Sequence, residues 1–180
     1  MVPTEDPPPL RGIHHLKFAV SDLDESLHFY ERALGARRLP EADHVRHDGT
    51  YYAYVVEVPG LGTMIELRLD PERAARQALF DPLTIALDDR AALEIWDAAL
   101  TERGVLHSPI LVALQAWLIV VQDPDGNRLR LYTLETHGPE VAAATDSPWL
   151  DGGRSTGHTL RSREAQPVEA RRDGRGPAPG

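Results

Sequence analysis

Two rhythms of apolar residues organise this chain: alternation at a period of two, which marks strands, and a stripe at a period near 3.6, which marks helices. IHHLKFAV (13–20) alternates, with Leu16, Phe18 and Val20 on one face and His15, Lys17 and Ala19 on the other. A helix is predicted over 22–35. Ser21 or Asp22 caps it, Leu23, Leu27, Tyr30 and Leu34 form its stripe, and Gly35 ends it. A strand up to His47, an Asp48-Gly49 turn, the strand TYYAYVVEV and, after Pro59-Gly60, the strand TMIELRL (63–69) follow.

The series then starts again. PLTIALD (82–88) is a strand and DRAALEIWDAALTERGV (89–105) a helix capped by Asp88 or Asp89. Strands at HSPILVAL and AWLIVVQ precede the turn DPDGN, in which Pro presets φ and Gly accepts φ > 0. RLRLYTLE closes the series. Strand–helix–strand–strand–strand therefore occurs twice, the signature of an internal duplication. The first and last strand of each half have one aliphatic face, which helices can cover. The opposite faces carry His15, Lys17, Glu66, Arg68, Thr84, Arg128, Arg130 and Tyr132. These are either solvated strand faces or the floor of a site.

Composition narrows the classes. The chain has 180 residues, no cysteine and a formal net charge of −9. A disulfide framework and thiolate metal sites are excluded, and a general nucleic-acid binder is not expected. The acidic, Pro-rich MVPTEDPPPL lacks the basic and apolar regions of a signal peptide, and no apolar run reaches membrane-spanning length. A cytoplasmic protein is expected. Residues 1–11 and 138–180 read as disordered, with Pro148-Trp149-Leu150 as an apolar patch that can dock on the body. The folded part is 12–137, with module 1 at about 12–70 and module 2 at about 80–137. Six Arg offset six Asp and Glu in 138–180, so the whole −9 lies in the first 137 residues.

HHLKFAVSDLDESLHFYERALG, the duplicated series and DPDGNRLRLY together resemble the vicinal oxygen chelate superfamily over about 12–137. That group includes glyoxalase I, extradiol dioxygenases, fosfomycin-resistance enzymes and bleomycin-resistance binding proteins. The resemblance implies an α+β fold in which two βαβββ modules pair into a curved eight-stranded sheet whose concave face is the site. It also implies a homodimer.

Metal enzymes of this group take ligands from the first and fourth strand of each half, suited to Fe, Mn, Ni or Zn. Carried over residue by residue, His15 and Glu66 fall on the first two ligand positions, and Pro82 and Arg130 stand at the other two. Proline offers no side-chain donor, and arginine stays cationic. Arg130 is then either the partner of Glu66 or a fixed cation that clamps an anionic ligand. Lys17, Arg68, Arg128 and Arg130 against Glu66 make the bowl locally positive. Catalytic candidates are thus His15 as base or ligand, Glu66 and Arg130. Substrate-binding candidates are Lys17, Arg68, Thr84, Trp117, Arg128 and Tyr132, with Trp117 read as a stacking wall or as core. His44, His47, Tyr51, Tyr52 and Tyr54 are read as lining the pocket mouth or as an ordinary packed hairpin, and His107 as a rim residue or a plain polar one.

Two functions fit. One is an enzyme, a lyase, isomerase or dioxygenase type, acting on a small oxygenated and anionic molecule with an incomplete ligand set. The other is a metal-free protein that sequesters a small antibiotic or toxic metabolite.

Overall fold

The structure is a computed structural model, and it describes residues 9–150. The N-terminal reading of disorder lies mostly outside these residues, as does 151–180 of the C-terminal tail.

Module 1 comprises β1 (His15–Val20), α1 (Leu23–Leu34), β2 (Arg37–Arg38), β3 (His44–Val45), β4 (Tyr51–Glu57) and β5 (Met64–Leu69). A 3₁₀ turn at Pro40–Ala42 separates β2 from β3, so the long strand expected before His47 is two short ones. After α2 (Pro71–Gln77), module 2 comprises β6 (Leu83–Leu87), α3 (Arg90–Glu102), β7 (Leu111–Val112), β8 (Ala116–Gln122) and β9 (Arg128–Thr136). Asp70 caps α2 and Pro71 opens it, a start signal that the strand pattern on either side masked.

Each module forms its own sheet. The orders are β1-β5-β4-β2, with β3 also on β4, and β6-β9-β8-β7. β1–β5 and β6–β9 are parallel, and the other pairs are antiparallel. The fold is α+β and duplicated. The strands of the curved surface are shared between two sheets, and no ladder joins β1 to β6 among the described residues.

Local chemistry explains the helices. Asp22 accepts from the backbone N–H groups of Asp24 and Glu25, and Gly35 closes α1 in the left-handed region at φ 65°. Asp89 caps α3 through Ala92 N–H. α1 buries Leu23, Leu27, Phe29, Tyr30, Ala33 and Leu34, the expected stripe widened by Phe29. One apolar core holds these together with Phe18, Val20, Ile65 and Leu67 of module 1 and Leu93, Leu100, Ile119, Leu129 and Leu131 of module 2. Burial of this surface drives assembly of both sheets onto the helices.

The DPDGN turn joins the modules. Asp125 accepts the backbone N–H of Ser21, just before α1, through both carboxylate oxygens at 3.1 and 3.2 Å. Leu79 N–H donates to Gly126 O at 2.8 Å. Gly126 has φ 84°, and a Cβ there would lie 3.3 Å from that of Ala78, so the turn requires glycine for both conformation and space.

Candidate functional site

Alternation along β1 and β5 puts His15, Lys17, Glu66 and Arg68 on the face away from the helices, as their sequence pattern predicts. In register Lys17 stands beside Glu66, and Val55 of β4 flanks Glu66 on the other side. Glu66 is only 2 % exposed. A lone buried carboxylate would be costly, and here it is surrounded by cations. Its Oε2 lies 3.2 Å from Lys17 Nζ and 3.4 Å from His15 Nε2. Its Oε1 lies 3.3 Å from an Arg68 nitrogen and 3.7 Å from His44 Nδ1. The cations are half-exposed, so the centre opens to solvent while its negative charge does not.

Two residues of this centre, His44 and Tyr52, come from the hairpin read as either pocket mouth or ordinary packing. The β3–β4 register slips between His44 and Val45, which pair with Ala53 and Tyr51. Tyr52 is therefore the extra residue of a bulge, a device that re-aims a side chain. Tyr52 turns away from Tyr51 and Tyr54 and reaches the polar centre. Its ring lies 5.4 Å from that of His44 and 5.2 Å from the Arg68 guanidinium. Tyr54 faces α1 instead, where its hydroxyl donates to Asp24 at 3.1 Å and Arg38 stacks 3.5 Å above the ring. A groove of about 510 Å³ lined by Val45, Arg46, His47, Asp48 and Tyr52 adjoins the centre. A second, of about 640 Å³, runs past His14, Leu39, Glu57, Thr63 and Met64.

Module 2 corrects several expectations. Arg130 does not reach Glu66: its guanidinium pairs with Asp81, which β6 brings alongside β9. Arg128 is 5 % exposed, because the segment after β9 folds over it. Burial pulls its guanidinium below the usual arginine range. Trp117 is no wall of the bowl: it stands on the helix side, with Arg90 5.3 Å above its ring and His137 edge-on at 5.1 Å. Thr84 is exposed on β6 in register with Arg130, and Tyr132 packs at the margin of an apolar cluster around Trp149. His107 contacts Asp97 of α3 at 3.3 Å and the Val105 carbonyl at 2.7 Å, a local tie of the loop before β7.

The donor set does not match a divalent metal. His15 and Glu66 are adjacent, and Glu66 Oε1 and His44 Nδ1 are buried without a hydrogen-bond partner, but cationic nitrogens stand within 3.3 Å of both Glu66 oxygens, and Pro82 and Arg130 supply no donors. Among the described residues no group of three or more His, Cys, Asp or Glu is arranged to hold a metal ion.

The closing turn holds a second buried acid. Asp123 is 4 % exposed and accepts from the backbone and side-chain nitrogens of Asn127 at 2.7 and 2.9 Å. Tyr30 O–H approaches it at 3.5 Å, and burial beside Asp123 raises the Tyr30 hydroxyl well above its ordinary value. Burial also pushes Asp123 up to about 6, outweighing the hydrogen bonds that favour its charged form. The native state then keeps this proton to higher pH than the unfolded chain, so rising pH costs native stability between about 4 and 6. Across that window Asp123→Asn should gain about 2–3 kcal/mol relative to the parent, with a plateau above it. Urea titrations at half-unit steps of pH check this; a flat difference curve would refute it.

The family model described as the Glyoxalase/Bleomycin resistance protein/Dioxygenase superfamily matches residues 12–131. A putative ring-cleaving dioxygenase of Bacillus subtilis is 26% identical over 127 residues, 68% of this chain but 40% of the relative, so the chain spans less than half of that protein's length. A glyoxylase/bleomycin resistance protein/dioxygenase domain from Frankia sp. is 25% identical with a TM-score of 0.55, covering 69% of this chain and 98% of that one. An antibiotic binding protein from Streptomyces sp. is 22% identical, TM-score 0.52, over 69% and 96% of the two chains. A fosfomycin resistance protein from Listeria monocytogenes is 13% identical, TM-score 0.56, over 71% and 96%. The last two likenesses are of fold alone.

Proposed function

Since the chain belongs to the glyoxalase/bleomycin resistance protein/dioxygenase superfamily, we propose that it binds a small, oxygenated, anionic molecule on the concave face of module 1, without a metal. One observation carries this reading. Glu66 holds Lys17 and Arg68 in place, and the three groups together keep one formal positive charge beside Tyr52, which lines the adjoining groove. Cations that are already oriented lose less freedom on meeting a carboxylate or phosphonate, which favours binding. Tyr52 supplies an aromatic wall beside Arg68. The superfamily to which the chain belongs includes resistance proteins, which fits a sequestering role.

A second reading is enzymatic and rests on the His15 Nε2 to Glu66 Oε2 distance of 3.4 Å. An imidazole oriented by a buried carboxylate can take a proton from a carbon next to a carbonyl. The dioxygenase name of the Bacillus subtilis relative points the same way. Pairing of two chains, expected from the family, belongs to the same proposal. The outer edge of β6 has no strand partner among the described residues. No helix among those residues is long and apolar enough to cross a membrane.

The test has two steps. Elemental analysis of protein purified without chelator should find no stoichiometric divalent metal. Calorimetric titration with a panel of small carboxylates and phosphonates should then show saturable binding to that metal-free protein. A stoichiometric metal that is lost in both His15→Ala and Glu66→Ala would overturn the metal-free reading. Turnover of a bound ligand that His15→Ala abolishes would favour the enzymatic one.

A further inference from the structure

The equivalent face of module 2 is covered by the chain's own continuation. β8 contributes Leu118, Val120 and Gln122 to that face, in register with Tyr132, Arg130 and Arg128 of β9. Trp149, 8 % exposed, packs on Leu111, Leu118 and Val120, with Tyr132 and Ala144 at the margin. Arg128 Nη1 donates to the carbonyls of Pro148 and Trp149 at 3.0 and 3.1 Å, and its guanidinium stands 5.6 Å from the Trp149 ring centre. Ala144 N–H donates to Val112 O at 2.9 Å, which ties the segment to β7.

This cover leaves polar groups unmatched. Arg128 Nε, Arg130 Nε and Gln122 Oε1 are buried without a hydrogen-bond partner. Buried polar groups are nearly always paired, so two idle donors on neighbouring guanidinia stand out. They belong to the same face as the indole. Two neutral carbonyls occupy one nitrogen of Arg128, where a carboxylate would engage the fork through two.

We propose that residues 138–150 act as a displaceable self-ligand, and that the face beneath them takes an aromatic molecule bearing a carboxylate. The indole of Trp149 marks the ring's place on Leu118 and Val120. The carbonyls on Arg128 mark the place of the oxyanion, which would also reach the idle nitrogens. The inference extends the ligand face proposed above from module 1 to module 2 and rests on that reading. Its residues are separate from Lys17, Glu66 and Arg68.

Benzoate is the probe. Calorimetric titration of the full chain, of Trp149→Ala and of Trp149→Ala with Arg128→Gln should show at least tenfold tighter binding in the first variant, lost again in the second. In a full chain carrying Trp96→Phe and Trp117→Phe, benzoate should shift the Trp149 emission to the red as the indole enters water. Equal affinity in the full chain and Trp149→Ala, or a gain indifferent to Arg128→Gln, would overturn the proposal. Where circular dichroism shows that Trp149→Ala fails to fold, the emission experiment decides alone, and an unshifted spectrum refutes displacement. Lys17→Ala with Arg68→Ala distinguishes the two faces. The Trp149→Ala gain should survive it, and a gain that vanishes would place benzoate on module 1 and sink the inference.

Discussion

Lys17→Ala combined with Arg68→Ala should weaken binding of a small carboxylate about 100-fold, and Glu66→Gln alone should strengthen it. A charge-assisted hydrogen bond contributes about 1.5–3 kcal/mol, so losing both cations removes about 3 kcal/mol, or two decades of affinity. Glu66 competes with any incoming anion for the same two cations, at 3.2 and 3.3 Å. Glutamine keeps a carbonyl acceptor that holds the cations in place, while its neutrality removes the competitor and a repulsion across a partly wet site, which corresponds to about fivefold to tenfold tighter binding. Calorimetry on folded variants at low salt reads both numbers, and added salt should shrink both. The opposite signs matter. Were Glu66 a metal ligand or an essential base, Glu66→Gln would impair function together with the cation variants. Weaker carboxylate binding in Glu66→Gln would therefore remove the counter-ion role assigned to it.

Leu131→Ala should destabilise the protein by about 3–4 kcal/mol. Leu131 is 1 % exposed on β9, paired with Ile85 of β6 and Ile119 of β8, and it sits in the core shared by both modules. A sheet interior clamped on both sides cannot collapse into the vacated space, so the cavity cost adds to the lost transfer free energy. For a folded body of this size such a loss lowers the thermal midpoint by about 10 °C. Urea unfolding with an unchanged slope would confirm a pure stability effect. A loss below about 1 kcal/mol would mean that the core relaxes around this site.

What the sequence revealed and what it hid have different physical origins. Alternation is set by strand geometry, so His15, Lys17, Glu66 and Arg68 could be put on one face before any coordinates. The caps Asp22 and Asp89 and the closing glycine Gly35 are local chemistry and were equally visible. The duplication showed because each half repeats its own periods. The partner of Arg130 did not show. It depends on how far apart the two sheets stand, which alternation does not encode, and Asp81 lay just outside the strand pattern. Which hairpin tyrosine reaches the centre does not show in the sequence, because the bulge at Tyr52 breaks the period of two. Trp117 was drawn into the bowl for its ring alone, although its neighbours Leu118 and Val120 hold the opposite parity. Pro148-Trp149-Leu150 reads as a patch that can dock on the body, and it does; where it docks is hidden, because a short apolar patch amid Pro, Ser and Asp has no period of its own.

The contacts of the DPDGN turn bear on how the molecule unfolds. Asp125 grips the chain at Ser21, Asp123 meets Tyr30, and the cluster around them draws residues from both halves. The larger core is therefore common to both halves, and only the smaller cluster around Trp149 belongs to module 2 alone. Two sheets without a joining ladder would ordinarily suggest two independent transitions. Here the expected behaviour is a single cooperative one, with equal calorimetric and van't Hoff enthalpies. A half expressed alone would expose its share of the common core and aggregate. The duplication visible in the sequence thus survives as architecture, while the shared core is expected to make the halves melt together.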